Sequence, residues 1–152
     1  AYCKGNNVTV FSKASGAFIR MFGSGGDGQG QFDCPYGLCL DGGNVYVCDF
    51  DNNRVQVLTK EGVFVRFIGE PSGNGKLDYP MAVAVDEQHV FVSSYGGNCI
   101  KVYTKEDGKF VRELRRSASD GVRELVPYFL AVSDGLLYAT DGGNQDVAVF
   151  EG

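Results

Sequence analysis

One pattern recurs along the chain every 46 residues or so, and it commits the molecule to a row of similar units more firmly than any other feature of the sequence. Pro35, Pro80 and Pro127 stand 45 and 47 residues apart. Gly16, Gly62 and Gly108 are 46 apart at each step, as are Phe18, Phe64 and Phe110, and Arg20, Arg66 and Arg112. The best copy, residues 35–69, reads as four short strands. Residues 37–40 form the first, and Asp41-Gly42-Gly43-Asn44 closes a hairpin because Gly and Asn adopt positive φ at little cost. Residues 45–48 follow, then a turn at 49–53, a third strand at 54–58, a turn ending at Gly62, and a fourth strand at 63–68. Each has the ordinary length of a strand, about five or six residues.

The other copies repeat this outline with changed turns. The next predicts strands at 81–85, 90–93, 99–103 and 109–114, and the last at 128–132, 136–140 and 146–150. Ahead of the best copy stand only a third strand, 7–11, and a fourth, 17–22. This gives thirteen strands. The copies are joined by segments 23–34, 69–79 and 115–126. The first of these is rich in glycine, but a phosphate cradle needs a helix N-terminus directly after it, and here a proline and a strand follow.

Composition narrows the class further. Twenty-two glycines against 4 prolines, with 8 Tyr and 11 Phe, suit tight turns and aromatic-rich strands, an all-β balance. The formal charge of −5 disfavours nucleic acid, whose phosphates need dense Lys and Arg, and the one basic run, Arg112 to Arg116, is interrupted by Glu113. The five cysteines, Cys3, Cys34, Cys39, Cys48 and Cys99, have neither CxxC nor metal-ligand spacing. Most read as free thiols packed as small apolar side chains, which leans toward a reducing, cytoplasmic compartment. No apolar run is long enough to span a bilayer, and the first residue is Ala1 and not Met, so the start reads as processed or incomplete.

The residues carry a resemblance. Gly-x-Phe/Leu-Asp-x-Pro, then Gly37-Leu-Cys-Leu-Asp41, then Val45-Tyr-Val-Cys-Asp49-x-x-Asn52-Asn53-Arg54-Val-Gln-Val57, then a Gly-x-Phe-Val-Arg-x-x-Gly run, is similar to the NHL repeat, a blade of a β-propeller. The absence of Trp disfavours WD-type repeats of like period. The resemblance implies an all-β fold, β-propeller blades of four antiparallel strands. Residues 1–30 end a first blade, 31–75 and 76–121 form the second and third, and 122–152 form most of a fourth. Thirteen strands are too few for the usual ring of at least four four-stranded blades, so the expected shape is an open arc of a larger propeller, completed by further blades or a partner. The family's Asp closing the second strand is present as Asp49 and Asp141 but replaced by Ser94. Its Arg after the Asn pair survives only as Arg54, with Cys99 and Asp146 in the other copies. These polar residues are expected to stitch turns and not to catalyse.

No constellation points to an enzyme or calls for a cofactor. The sole histidine, His89, falls where the repeat places the turn between first and second strands, opposite the face that holds metal in enzymatic propellers. No nucleophile, acid and base can be assembled from spacing. The resemblance instead points to the loops of one face as a site for a protein partner, on a non-enzymatic scaffold. It places Tyr36, Met81 and Tyr128 after the three prolines, and Phe50, Asp51, Tyr95 and Asn98 in the turns between second and third strands. Large amphipathic side chains of this kind dominate interface energetics; packing between blades is the competing role. A second possibility the resemblance brings is single-stranded RNA, as in tripartite-motif members of the family, with Tyr36 and Tyr128 stacking bases and Arg54 or Arg123 meeting phosphates. A third is a lyase or hydrolase whose channel-metal ligands lie in other blades.

Overall fold

The computed structural model describes residues 5–116 and 122–151. Among them there is no helix, and the strands fall into a series of antiparallel sheets with one short parallel pair. The first sheet pairs β1 (Val8–Phe11) with β2 (Phe18–Phe22). Two-residue strands β3 (Ser24–Gly25) and β4 (Gln31–Phe32) then pair in parallel within the glycine-rich joint. The second blade is β5 (Pro35–Asp41), β6 (Asn44–Asp49), β7 (Arg54–Thr59) and β8 (Phe64–Ile68), hydrogen-bonded in that order. The third is β9 (Pro80–Val85), β10 (His89–Ser94), β11 (Cys99–Thr104) and β12 (Phe110–Leu114). The fourth has three strands, β13 (Pro127–Ser133), β14 (Leu136–Asp141) and β15 (Asp146–Glu151).

Each blade is a meander because its hairpin turns are supplied by residues that accept a left-handed backbone. Gly42 lies at φ 55° between β5 and β6, and Asn53, Asn98 and Gln145 lie at 54°, 50° and 58° between second and third strands. Successive blades stack face to face. The innermost strands run side by side, β5 against β9 and β9 against β13, which gives a propeller arc of four blades. Three apolar seams hold it. Val8, Phe32, Val45, Val47 and Leu58 fill the space between first and second blades. Tyr46, Val55, Val57, Ile68, Leu77, Val83, Val92 and Tyr103 fill the next, and Phe91, Ile100, Val102, Leu125, Leu137 and Ala139 the last. At the tightest seam Gly37 admits the neighbouring blade: a Cβ there would stand 2.3 Å from the Met81 carbonyl oxygen.

Arginines at one repeat position reach across the seams. Arg20 on β2 donates to the Lys60 carbonyl of the second blade, and Arg66 on β8 donates to the Lys105 carbonyl of the third. The periodic Phe and Arg markers of the sequence thus lie on the outermost strands, with Arg20 joining the first blade to the second and Arg66 the second to the third.

Four sequence expectations need correction. His89 is not in a turn. It opens β10 opposite Thr104, with its ring 6.0 Å from that of Phe91 and its Nδ1 3.8 Å from Asp86. A polar residue at a strand's first position gives no alternation signal, so the pattern starts the strand at Val90 where the structure starts it at His89. The expected thirteen strands become fifteen among the described residues, since β3 and β4 pair within the joint 23–34. Cys34 is disulfide-bonded, which removes the composition argument for a reducing compartment; Cys39, Cys48 and Cys99 are free thiols and Cys3 lies outside the described residues. Met81, expected among the surface loops, is buried on β9.

Candidate functional site

The face carrying the turns between second and third strands also carries the joints that lead into each innermost strand, and the two are laced together. Phe50 and Asp51 donate their amides to the carbonyls of Cys34 and Asp33, Tyr95 and Gly96 to those of Tyr79 and Asp78, and Gly142 to that of Val126. The same two-point contact therefore occurs at the second and third blades, and its first point recurs at the fourth.

Beneath this lacing sits a buried polar staple. Asp49, with no exposed surface, accepts from the Asp33 amide at 2.7 Å, Asn52 Nδ2 at 3.0 Å, Arg54 Nε at 2.7 Å and Gln56 Nε2 at 3.2 Å. Arg54 continues outward to the carbonyls of Asp27, Gly28 and Gln31, and its guanidinium lies 4.3 Å from the Phe67 ring centroid. In the third blade Ser94 does the equivalent work without charge, accepting from the Asp78 amide at 3.0 Å and donating to its carbonyl at 3.1 Å. In the fourth, Asp141 accepts from the amides of Val126, Gly143 and Asn144 and from Asn144 Nδ2. Burial alone would raise its pKa, but these donors outweigh burial and hold the carboxyl below its ordinary value. Its guanidinium comes from an unexpected place. Arg116, in the incoming joint, reaches both Asp141 and Asp146 at 3.3 and 2.8 Å.

The staple residues are thus spent on holding turns. Arg54, considered for phosphate contact, has its donors committed to Asp49 and three carbonyls, and its side chain is only 15% exposed. Arg123 is exposed, and its amide is held by Asn144 Oδ1.

What projects from the lacing is aromatic. Tyr36, Phe50 and Tyr79 form a continuous row, with ring centroids 5.4 and 5.0 Å apart, that crosses from the second blade to the third. Tyr95 and Tyr128, 5.6 Å apart, bridge third to fourth. The Tyr128 ring lies over Gly142, where a Cβ would stand 2.2 Å from it. The neighbouring Tyr95 hydroxyl is the main influence raising the Tyr128 hydroxyl's pKa. Tyr36 is 47% exposed, Tyr79 43% and Tyr95 38%, so the rings touch one another yet keep a face in water.

The seven residues singled out from sequence separate into groups. Tyr36, Phe50, Tyr95 and Tyr128 make the aromatic rows, and Asp51 is exposed beside them. Asn98 sits at the left-handed turn position with its amide 3.4 Å from Glu124. Met81 does not reach the surface: it is 8% exposed, because β9 is the central innermost strand, flanked by both β5 and β13. Sequence reasoning missed Tyr79. It precedes Pro80 as Cys34 precedes Pro35, and both adopt a left-handed backbone, φ 50° and 55°. That shared position before proline was the available signal. Among the described residues no three His, Cys, Asp or Glu side chains stand together as metal ligands.

Residues 32–58 match the NHL repeat model. Protein lin-41 of Caenorhabditis elegans is 46% identical over 48 residues, spanning 31% of this chain and 4% of that protein. RING finger protein nhl-1 of the same organism is 43% identical over 58 residues, 38% of this chain and 6% of that one. The chain therefore spans a small fraction of the curated relatives it matches. Among solved structures, a streptogramin B lyase superposes with a TM-score of 0.66 at 18% identity over 97% of this chain and 48% of its own. Kuenenia stuttgartiensis hydrazine synthase superposes with 0.68 at 18% identity, over 96% and 40%. A structure of a nidogen/laminin complex does so with 0.60 at 16%, over 79% and 44%. At such identities these likenesses concern the fold. The family match falls on the blade whose turn chemistry is most complete, and residues 32–58 are identified as an NHL repeat within a β-propeller arc.

Proposed function

We propose that this chain is a non-enzymatic interaction module whose laced face binds a protein partner through Tyr36, Phe50, Tyr79, Tyr95 and Tyr128. The observation that carries the reading is the pair of aromatic rows. Five rings from three blades keep partial exposure on one face, although the apolar seams between blades lie directly beneath them. Tyr and Phe bring large contact area with few rotatable bonds, so little entropy is lost when a partner covers them. Polar residues that elsewhere would serve chemistry are here tied to backbone groups, which makes the face rigid and inert. The relatives' names include a RING finger protein, in keeping with a recognition module attached to other domains.

The test is selection of a random peptide library on the immobilised chain, followed by binding of the enriched peptides to the Tyr36→Ala/Tyr128→Ala double variant. Binding should fall at least about tenfold, the loss of roughly 1.4 kcal/mol that truncating a hot-spot aromatic exceeds. Enriched peptides that bind both proteins equally would place the interaction elsewhere and overturn the reading.

A further inference from the structure

The charge around the aromatic rows carries the reading one step further. The joints and turns that present the rings also present Asp33, Asp51, Asp78 and Glu124, one or more from each blade. Asp33, Asp51 and Glu124 are exposed, and Asp78 is partly so. The cations of the same loops are mostly neutralised. Arg54 is bound to Asp49, Arg115 to Glu113 and the Gly97 carbonyl, and Arg116 to Asp141 and Asp146. Lys76 and Arg123 remain in these joints, against the four acids next to the rings and Asp27 and Glu70 farther along. The chain as a whole is acidic, at −5. The face is therefore a run of exposed rings set in negative charge.

We propose that its partner is an extended, Lys- or Arg-bearing polypeptide segment, whose cationic side chains lie on the tyrosine faces while the acidic rim holds their charge. This rests on the interaction reading above and specifies its partner. Ring faces attract ammonium and guanidinium groups, and the attraction adds to that of nearby carboxylates. Complementary charge also steers a flexible basic segment onto the face. The two aromatic clusters lie on successive blade boundaries, which suits an extended strand or polyproline chain crossing from ring to ring better than a compact domain. Nucleic acid fits the rings but not the charge. Its phosphates would meet Asp33, Asp51, Asp78 and Glu124, and Lys76 and Arg123 are too few to supply the dense cations that counterion release requires.

The experiment is fluorescence anisotropy with three labelled peptides of about a dozen residues, alternating Arg, Gln or Glu with Pro, and an oligouridylate of like length. Expected is binding of the Arg peptide alone, weakening roughly fivefold or more as salt rises through the range in which the Debye length shrinks from about 10 Å to a few Å. The Asp33→Asn/Asp51→Asn/Glu124→Gln variant should lose a similar factor with an unchanged melting curve, and Tyr36→Ala/Tyr128→Ala should abolish binding. Equal binding of the Gln peptide, still dependent on the tyrosines, overturns the cationic partner while leaving the interaction face intact. Preferred binding of the oligouridylate, or binding of none of the four probes, overturns the proposal.

Discussion

The two staples built around Asp49 and Ser94 offer a direct way to weigh charge against neutrality within one protein. Replacing Asp49 by serine copies the third blade into the second, but leaves Arg54 beside no carboxylate. Breaking a buried ion pair from one side costs about 3–5 kcal/mol. The new hydroxyl can take over the Asp33 amide, as Ser94 takes the Asp78 amide at 3.0 Å, which returns about 1 kcal/mol. The net expectation for Asp49→Ser is a loss of about 2–4 kcal/mol, or roughly 5–15 °C in Tm for a chain of this size. Arg54→Cys, which supplies the Cys99 counterpart, leaves Asp49 its amide, Asn52 and Gln56 donors but frees the carbonyls of Asp27, Gly28 and Gln31. A comparable loss follows. The double variant removes both charges together and should be no worse than about 3–5 kcal/mol in all, so the pair couples by about 2 kcal/mol. Urea unfolding followed by far-ultraviolet circular dichroism measures all three variants; tyrosine fluorescence serves as second probe, since the chain has no Trp. Losses that add within about 0.5 kcal/mol would refute the coupling and, with it, the claim that Arg54 is present to compensate Asp49.

Other consequences are as definite. Gly37→Ala drives a Cβ against the Met81 carbonyl oxygen, 2.3 Å away and fixed in a strand, so the seam between second and third blades must open. The expected loss is about 1–3 kcal/mol or more, read from the same unfolding curves. Glu113 is held at about 2 by hydrogen bonds from Arg115 and Lys101, below its ordinary 4.5. A depressed carboxyl contributes stability above its unfolded pKa and loses it as pH falls toward the folded one, so stability should drop between about pH 4.5 and 2, and less steeply in Glu113→Gln. Burial, then the nearby Asp41 charge, pushes the Cys39 thiol up to about 12, and burial raises Cys48 and Cys99 too. Iodoacetamide at pH 8 should therefore label these three only after urea unfolding, as counted by intact mass.

Sequence reasoning located the strands because each blade alternates inward and outward residues between strong turn formers, and the copies check one another. It placed edges short where a polar or proline residue starts a strand, as at Pro35, Asn44 and His89. β3 and β4 escaped it because Ser24, Gly25 and Gln31 pair through backbone alone and leave no side-chain pattern. The role of Asp49 and Arg54 as staples was legible, since both flank a turn. The replacement of Arg54 by Arg116 in the fourth blade was not, because the two occupy unrelated repeat positions and meet equivalent carboxylates only in three dimensions. Met81 shares its repeat position with Tyr36 and Tyr128, yet only burial distinguishes a central innermost strand from its neighbours.

Within every turn between second and third strands, adjacent residues are divided between two tasks. Asp49, Ser94 and Asp141 point inward and are buried, while the next residues, Phe50, Tyr95 and Gly142, sit at the surface. The lacing hydrogen bonds are made by the backbone amides of that second set, whatever side chain each carries. A turn can thus present a phenyl ring, a phenol or nothing without disturbing the staple beneath it. At Gly142 the absence of a side chain is itself useful, because the Tyr128 ring occupies the space a Cβ would fill. The recognition surface can therefore differ from blade to blade at little expense in stability, whereas a change in the staple is answered by another, as Cys99 accompanies Ser94 and Arg116 meets Asp141 where Asp146 has replaced the arginine.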